Sequence, residues 1–437
     1  MPRAAPKEAS RTATERLTAA SVLRVLLGVV LLIDIVNLYR HLPLFPRAHP
    51  LLGLVLLAWM GIIVAMISGY RMAVIANLLC CGIILGGIAP NGGFQQSAAD
   101  SVMIGTSLLA VVLPQVSEGA ARWIIAAYLS SIYVDSAIHK LLSPMWLRGL
   151  GLSTSAALPS LVWIGTAWMK YIPATLLRCV GWGVIAFELL FPVLYWRRST
   201  RLPALAAGIA MHVGIAVLYP IPAFSGSMIV LYLALLLEER DGISPAFPAR
   251  GRVRYALLGI WAMCIGNVYF ASMTSQASIM GVAFRAARKI AWMSAGIASH
   301  SVFDHSAFIR YSYQVRLFGG GEVSIPYGRD NLFPVSISDR VWEVWWKRTS
   351  AATVAMADAG ENLRAWARFY APGVNPIEIQ ARRQEVRLDV VDTNVFGRNQ
   401  SQLWRTVGTI DRNRLAWTRP PEAGEDVGTY MMRILRQ

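Results

Sequence analysis

The densest chemistry in the chain lies in residues 128–149, YLSSIYVDSAIHKLLSPMWLRG. There an apolar run ends in Asp135, His139 and Lys140 and leaves through Ser143-Pro144 and Trp146-x-x-Gly149. A hydrocarbon slab resists such a cluster, because one ionisable side chain at mid-depth costs about 2.5–3.5 kcal/mol and less near the interface. Asp135 and His139 are four apart, so on a helix they share a face and the carboxylate can hold the imidazole. Lys140 falls about 100° further round and need not join them. Lys140 can be held there for chemistry. The same side chain at a helix end can instead anchor the helix at the headgroups. Both readings stand on these residues.

Three more ionisable groups interrupt apolar runs. Glu188 sits in FELLFP and His212 in GIAMHVGIAV. Counted from the arginine-rich ends of their helices, their depths differ by about 3–5 Å, so they are expected to pair across neighbouring helices. That pair is either a structural fixing of helix register or part of a cavity that reaches outward to Lys140. Asp34 follows Arg24 by ten residues, about 15 Å along a helix, too far for direct pairing. It is expected to face the bundle or an outer cavity.

The elements that must position these groups follow from composition. The chain has 437 residues, 55% of them hydrophobic and 15% charged, and its mean hydropathy is +0.46. That is too apolar for a soluble protein of this size and indicates a polytopic membrane protein. The formal net charge of +16 belongs to cytoplasmic loops or anionic headgroups in such a protein, and nucleic acid is not an expected partner. Cys80, Cys81, Cys179 and Cys264 lie in apolar runs without metal-ligand spacing, and no metal is expected. A phosphate-binding glycine loop, a GxSxG elbow and an HExxH helix are all missing from the sequence.

The expected fold is mostly α, a transmembrane helix bundle of about nine spans with a small α+β extracytoplasmic C-terminal domain. Residues 1–20 form a basic cytoplasmic segment with no small-residue cleavage site after the first span. Residues 21–270 form the bundle, with spans expected at 21–38, 51–67, 72–88, 101–112, 121–138, 174–194, 204–219, 224–237 and 255–270. Residues 159–171 are aromatic and too short to cross, so they read as interfacial or re-entrant. Arg71, Arg122, the Arg197-Arg198-Arg201 cluster and Arg250, Arg252 and Arg254 then share the side of the N-terminus, which is the cytoplasm by the positive-inside rule. Arg40, Arg47 and Arg148 run against that bias.

The remainder, 271–437, is expected outside. Its start, 275–299, reads as an amphipathic helix on the membrane surface. Residues 311–318 and 322–327 flank Gly319-Gly320-Gly321 as a hairpin. A tryptophan-rich helix over 341–370 ends at Pro372, and 377–391 is a strand pair or one long strand. The last thirty residues are polar and are expected to be partly disordered. The whole is expected to pack on the bundle, with little sign of a large core of its own.

Three segments carry a resemblance: SVLRVLLGVVLLID at 21–34, the 128–149 stretch, and FELLFPVLYWRRSTRLPALAAGIAMHVGIAV at 187–217. Together they resemble the HTTM (horizontally transferred transmembrane) domain family, which includes the vitamin K-dependent gamma-carboxylases. The resemblance spans 17–238, and K-x(5)-W-x-x-G from Lys140 to Gly149 is its most specific element. It implies quinol-dependent carboxylase or epoxidase chemistry, with Lys140 as base and His212 as hydrogen-bond partner. It further implies reduced vitamin K or menaquinol as cofactor, oxygen and carbon dioxide as co-substrates, and a secreted peptide or protein as partner besides the lipid bilayer. Asp34, Asp135, His139, Trp146 and Glu188 become candidates for binding substrate or quinone. Trp146 and Gly149 match structural positions.

The pattern also departs from the family. The carboxylases carry two adjacent lysines where this chain has His139-Lys140, they have one residue fewer before the tryptophan, and their outer domain is far larger. Bacterial relatives that assist maturation of secreted antimicrobial peptides imply the other function, a non-enzymatic protein for peptide maturation or export. The location implied is a bacterial inner membrane, N-terminus cytoplasmic and C-terminal domain outside.

Overall fold

The computed structural model describes residues 18–44, 51–88, 98–157, 167–219, 221–240, 311–320, 323–325, 355–385 and 403–435. The expected span at 255–270, the amphipathic helix at 275–299 and most of the segment 159–171 lie outside the described residues. Within them the protein is mostly helical, with a small antiparallel sheet in the C-terminal region.

The first helix, α1 (Ala19–Arg40), starts where the Thr18 hydroxyl accepts the Ser21 amide at 3.2 Å, which supplies one of the partners a helix N-terminus lacks. It is followed by α2 (Leu52–Ile67), α3 (Arg71–Cys80, continued as π-helix over Cys81–Ile88), α4 (Ala98–Val112) and α5 (Glu118–Leu141). Two short helices, α6 (Pro144–Leu147) and α7 (Gly151–Ala157), lead to α8 (Ala174–Trp196), α9 (Arg198–Leu218) and α10 (Pro222–Arg240). The helix α1 packs on α2 and α10, α5 on α8, and α9 on both α8 and α10. Pro144 opens α6, where its missing N–H costs nothing.

Among the described residues, three helices are long and apolar enough to cross a membrane: Ala19–Arg40, Ala174–Trp196 and Arg198–Leu218. Shorter apolar helices cover Leu52–Ile67, Arg71–Leu85, Ala99–Gln115 and Pro222–Leu237. These helices expose large apolar side chains on their outward faces, among them Leu54, Met72, Leu79, Leu190, Val193 and Val217. Apolar surface on this scale marks an environment other than water.

Two arginines of the sequence-based charge bias are not loop charges. Arg122 is fully buried and donates from Nε to the Tyr195 hydroxyl at 2.9 Å, and Arg201 is buried and donates to the Tyr195 carbonyl at 2.9 Å. Both guanidiniums lie over the Tyr195 ring. They tie the start of α5 to the junction of α8 and α9.

In the C-terminal region, β1 (Tyr311–Gly319), β2 (Val323–Ile325), β3 (Ile377–Glu385), β4 (Arg405–Asp411) and β5 (Arg414–Trp417) form one sheet of order β2-β1-β3-β4-β5, all antiparallel. The expected hairpin around Gly319 is present as β1 and β2. Pairing of Val315 with Ala381 and of Leu317 with Ile379 puts four buried apolar side chains on one face. Two helices, α11 (Met356–Tyr370) and α12 (Val427–Leu435), complete this core with Leu363, Trp366, Tyr430 and Met431.

Residues 408–435 form strand, turn and helix, against the expectation of partial disorder. Arg412 and Asn413 both adopt positive φ, 45° and 69°, the two-residue turn that matches strand twist in a hairpin. Tyr430 donates its hydroxyl to the Val407 carbonyl at 3.0 Å, and Arg433 grips Glu425 at 2.7 and 3.0 Å. That hydrogen-bonded pairing holds the Glu425 carboxyl below the usual carboxylate range. A few long-range contacts thus fix a segment whose composition reads as polar.

The C-terminal region meets the bundle at the far end of α1. His41, the residue after α1, packs its ring against Phe369 and Tyr370 at centroid distances of 5.4 and 6.1 Å, and α11 packs on the turn Leu42–Leu44.

Candidate functional site

One face of α5 builds the site. Tyr133, Ser136 and Lys140 recur at spacings of three and four, so their side chains stack on one stripe. The buried stripe of α8 runs Leu177, Gly181, Ile185, Glu188, Phe191, Tyr195 on the same period. Packed together, the two stripes bring Lys140 onto Glu188. The ammonium donates to Oε1 and Oε2 of Glu188 at 2.7 and 2.8 Å and to the Ser136 hydroxyl at 2.6 Å. Ser136 in turn donates to Glu188 Oε1 at 3.3 Å. The Trp146 ring lies 5.3 Å from the ammonium, a cation–π contact. Lys140 and Glu188 are only 6% and 5% exposed, so the pair is inside the bundle rather than at its edge.

Trp146 is positioned by the turn that follows it. Gly149 has φ +71°, and a Cβ there would lie 2.9 Å from Arg178 Cβ and 3.1 Å from its Cα. Only glycine meets both demands without strain. The W-x-x-G spacing therefore seats Trp146 over Lys140 and lets α8 come close.

On the neighbouring helices, His212 Nε2 and the Tyr133 hydroxyl are hydrogen-bonded at 2.8 Å, and Tyr133 is hydrogen-bonded onward to the Tyr232 hydroxyl. Gly208 leaves the room that Tyr232 occupies. Tyr133 is wrapped by Phe187 and Phe191. Tyr219 and Ser155 share a further hydrogen bond of 2.8 Å.

Of these groups, Tyr133, Ser136, Lys140, Trp146, Ser155, Glu188, His212 and Tyr219 line one cavity of about 90 Å³, together with apolar side chains such as Val184, Met211, Ile215, Phe224 and Met228. Water occupies about 30 Å³ per molecule, and an engineered apolar cavity of about 150 Å³ accepts benzene. The cavity thus suits a molecule of a few heavy atoms with polar ends. Its polar lining includes an ammonium and an imidazole, and the ring of the expected quinol is larger than its volume.

The expected site residues divide into two groups. Lys140, Glu188, His212 and Trp146 converge on the cavity. Asp34, Asp135 and His139 are not among its lining residues. Asp34 is buried on α1, while Asp135 Oδ1 lies 3.8 Å from His139 Nε2 on the adjacent face of α5. The pairing of Glu188 with His212 is corrected: Glu188 pairs with Lys140, and His212 with Tyr133. Equal depth did not decide the partner, because the α5 stripe intervenes. Sequence reasoning missed Tyr133, Ser136, Ser155, Tyr219 and Tyr232. The first two carried a signal, since they precede Lys140 by seven and four residues. No group of three or more potential metal ligands occurs among the described residues.

Fold and site together define a bundle of apolar helices with a buried ion pair on the wall of a small cavity. Comparison of the chain with protein-family models, with curated proteins and with solved structures finds no match.

Proposed function

We propose that the protein is a multi-pass membrane protein of about nine crossings, N-terminus cytoplasmic and C-terminal domain outside, whose bundle carries a carboxylase-like acid–base site of the HTTM type with Lys140 as base. The observation that supports it is the Lys140 ammonium, bridged to Glu188 and Ser136 inside the bundle and lining the same cavity as His212. A proton can pass from Lys140 to Glu188 along the 2.7 Å contact, which converts an ion pair into a neutral pair with no change in net charge. The neutral amine then has a lone pair for a weak acid held in the cavity. The ammonium that re-forms lies on the Trp146 ring and is balanced by the conjugate base of that acid, while the Glu188 carboxyl keeps the first proton. Reduced vitamin K or menaquinol, with oxygen and carbon dioxide, is the chemistry the family resemblance brings. Its ring exceeds the cavity volume, and a weak acid of a few heavy atoms is what the cavity itself admits.

The test is oxygen uptake by purified protein in detergent with reduced menaquinone or vitamin K. Wild type is compared with Lys140→Ala and with the double variant Lys140→Met/Glu188→Leu. Uptake in wild type that both variants abolish is the expected result. Undiminished uptake in the double variant ends the base assignment.

A second reading is favoured by the cavity volume and by the complete pairing of Lys140. In it the pair only fixes the register of α5 against α8, and the protein assists maturation or export of a secreted peptide without catalysis. Absence of uptake in wild type selects it.

A further inference from the structure

Exposure divides the cavity wall in two. Its polar and charged side chains, Lys140, Glu188 and His212 among them, are all buried. Its partly exposed members are Leu152 on α7, Val184 on α8, Met211 and Ile215 on α9, and Ile221 beside the start of α10. All five are apolar, so among the described residues the side on which the cavity meets the exterior carries no polar lining.

That side lies between α8 and α9. Met211, Gly214 and Ile215 recur at spacings of three and four and share a face of α9. Gly214 has no atom within 4 Å of where a Cβ would stand, so this face is not packed there. On α8, Val184 precedes Glu188 by one turn, and both line the cavity, so the apolar rim adjoins the ion pair.

Both helices are long and apolar enough to cross a membrane. Val184 lies ten residues from Ala174 and twelve from Trp196, about 15 and 18 Å along the axis. In a hydrocarbon core about 30 Å thick, an opening at that depth faces acyl chains rather than water. The charges of Lys140 and Glu188 cancel across their bridge. A visitor from hydrocarbon is therefore neutral, since an ion neither dissolves there nor meets a net counter-charge in the pair.

We infer that the cavity is filled from the bilayer, through the slot between α8 and α9. Its ligand is a neutral single-chain amphiphile, which sets a compact polar head beside Lys140 and Ser136 and leaves its aliphatic chain in the slot. The head is compact because the cavity holds about 90 Å³, and the chain matches the apolar rim. This rests on the reading of the cavity as a binding site in a membrane-spanning bundle, and not on Lys140 acting as a base.

The experiment is methyl NMR of the full chain in lipid nanodiscs with ¹³Cε-methionine. Met211 at the rim and Met228 in the wall are native probes, assigned by their loss in Met211→Leu and Met228→Leu. Met66, fully buried and outside the cavity lining, is the reference. A doxyl nitroxide on a phospholipid acyl chain is expected to broaden Met211 and Met228 more than Met66. A water-soluble gadolinium chelate is expected to broaden neither beyond Met66. 1-Decanol should shift Met228 saturably, and n-decane at the same membrane content should leave it in place. In Val184→Trp, whose ring fills the slot, the nitroxide effect on Met228 should fall to the Met66 level and the decanol shift should be lost. Gly214→Leu, which adds a side chain in open space, replaces that variant should it misfold, and the wild-type comparison of nitroxide with chelate decides in any case. Broadening of Met228 by the chelate above that by the nitroxide overturns entry from the bilayer, as does a decanol shift that survives a folded plug. An n-decane shift equal to that of 1-decanol, or no shift with either, overturns the amphiphile assignment. Oxygen uptake can be absent while the nitroxide pattern stands, and present where it fails, so the two readings fall separately.

Discussion

Removing one partner of the Lys140–Glu188 pair strands the other inside the bundle, and the stranded group sheds its charge. In Lys140→Met, Glu188 must take a proton. For an ordinary glutamate of pKa about 4.3 that costs about 2.7 × 1.36, or ~3.7 kcal/mol, at pH 7 and about 1 kcal/mol at pH 5. In Glu188→Leu, Lys140 must lose one. From about 10.4 that costs about 3.4 × 1.36, or ~4.6 kcal/mol, at pH 7 and about 1.9 kcal/mol at pH 9. Both figures agree with the ~3–5 kcal/mol expected for breaking a buried ion pair. The two variants should have opposite pH dependence. The folded Lys140→Met chain binds the extra proton, so its stability recovers as pH falls. In Glu188→Leu the unfolded chain binds more protons, so stability recovers as pH rises. The double variant Lys140→Met/Glu188→Leu strands nothing and should lie within about 1–2 kcal/mol of wild type. The assay is unfolding in detergent at pH 5, 7 and 9, read by tryptophan fluorescence. Losses below about 1 kcal/mol at pH 7, or single losses that simply add in the double variant, would refute a buried pair.

Three other outcomes follow from the same structure. A reporter fused after Gln437 should read as external and one at Arg198 as cytoplasmic; both on one side would undo the nine-crossing topology. Gly149→Ala must force a left-handed φ and push on Arg178, so a loss of about 1–3 kcal/mol is expected by thermal melting; a silent substitution would remove the turn's role in seating Trp146. Because Arg433 holds the Glu425 carboxyl below its ordinary value, this contact stabilises the chain end above the usual glutamate range and is lost as pH falls through the lowered value. Protection of α12 amides from hydrogen exchange, taken relative to intrinsic exchange at each pH, should therefore fall on acidification below the ordinary glutamate range, and Glu425→Gln should show the reduced protection at neutral pH.

Patterns within one element were legible in the sequence, and those between elements were not. The apolar runs located α1, α2, α5, α8 and α10 to within three residues and α9 to within six at its start, and Gly319-Gly320 marked the β1–β2 hairpin. The separation of Lys140 from the Asp135–His139 face was also readable, because one residue turns a helix by a fixed angle. The partner of Lys140 lies 48 residues away, and no local period reports it. Likewise β4 and β5 carry arginines and threonines along a short hairpin edge, so their alternation is weak. Tyr430 reaches back to the Val407 carbonyl of β4, and Arg433 to the Pro420 carbonyl beyond β5. The arginine bias mixed two kinds of residue: Arg197 and Arg198 are exposed, while Arg122 and Arg201 are buried around Tyr195.

Depth along the two helices explains why Lys140 reads as a boundary residue and is not one. By α5 it is one residue from the end at Leu141. By α8 its partner Glu188 is eight residues from Trp196 and fourteen from Ala174, or about 12 and 21 Å at 1.5 Å per residue. The ammonium contacts that carboxylate directly, so it sits at the depth α8 assigns. The lysine stem points back towards the start of its own helix, and the two helices are offset along their axes. An amine at that depth cannot serve as a headgroup anchor. The Lys140→Arg substitution is then a poor discriminator, since a guanidinium is bulkier and would disturb the packing under either function. The double variant is the better one: it removes the charge and keeps the volume. A chain that stays folded without Lys140 and Glu188 and loses uptake has lost chemistry; one that stays folded and keeps its function used the pair only to hold α5 against α8.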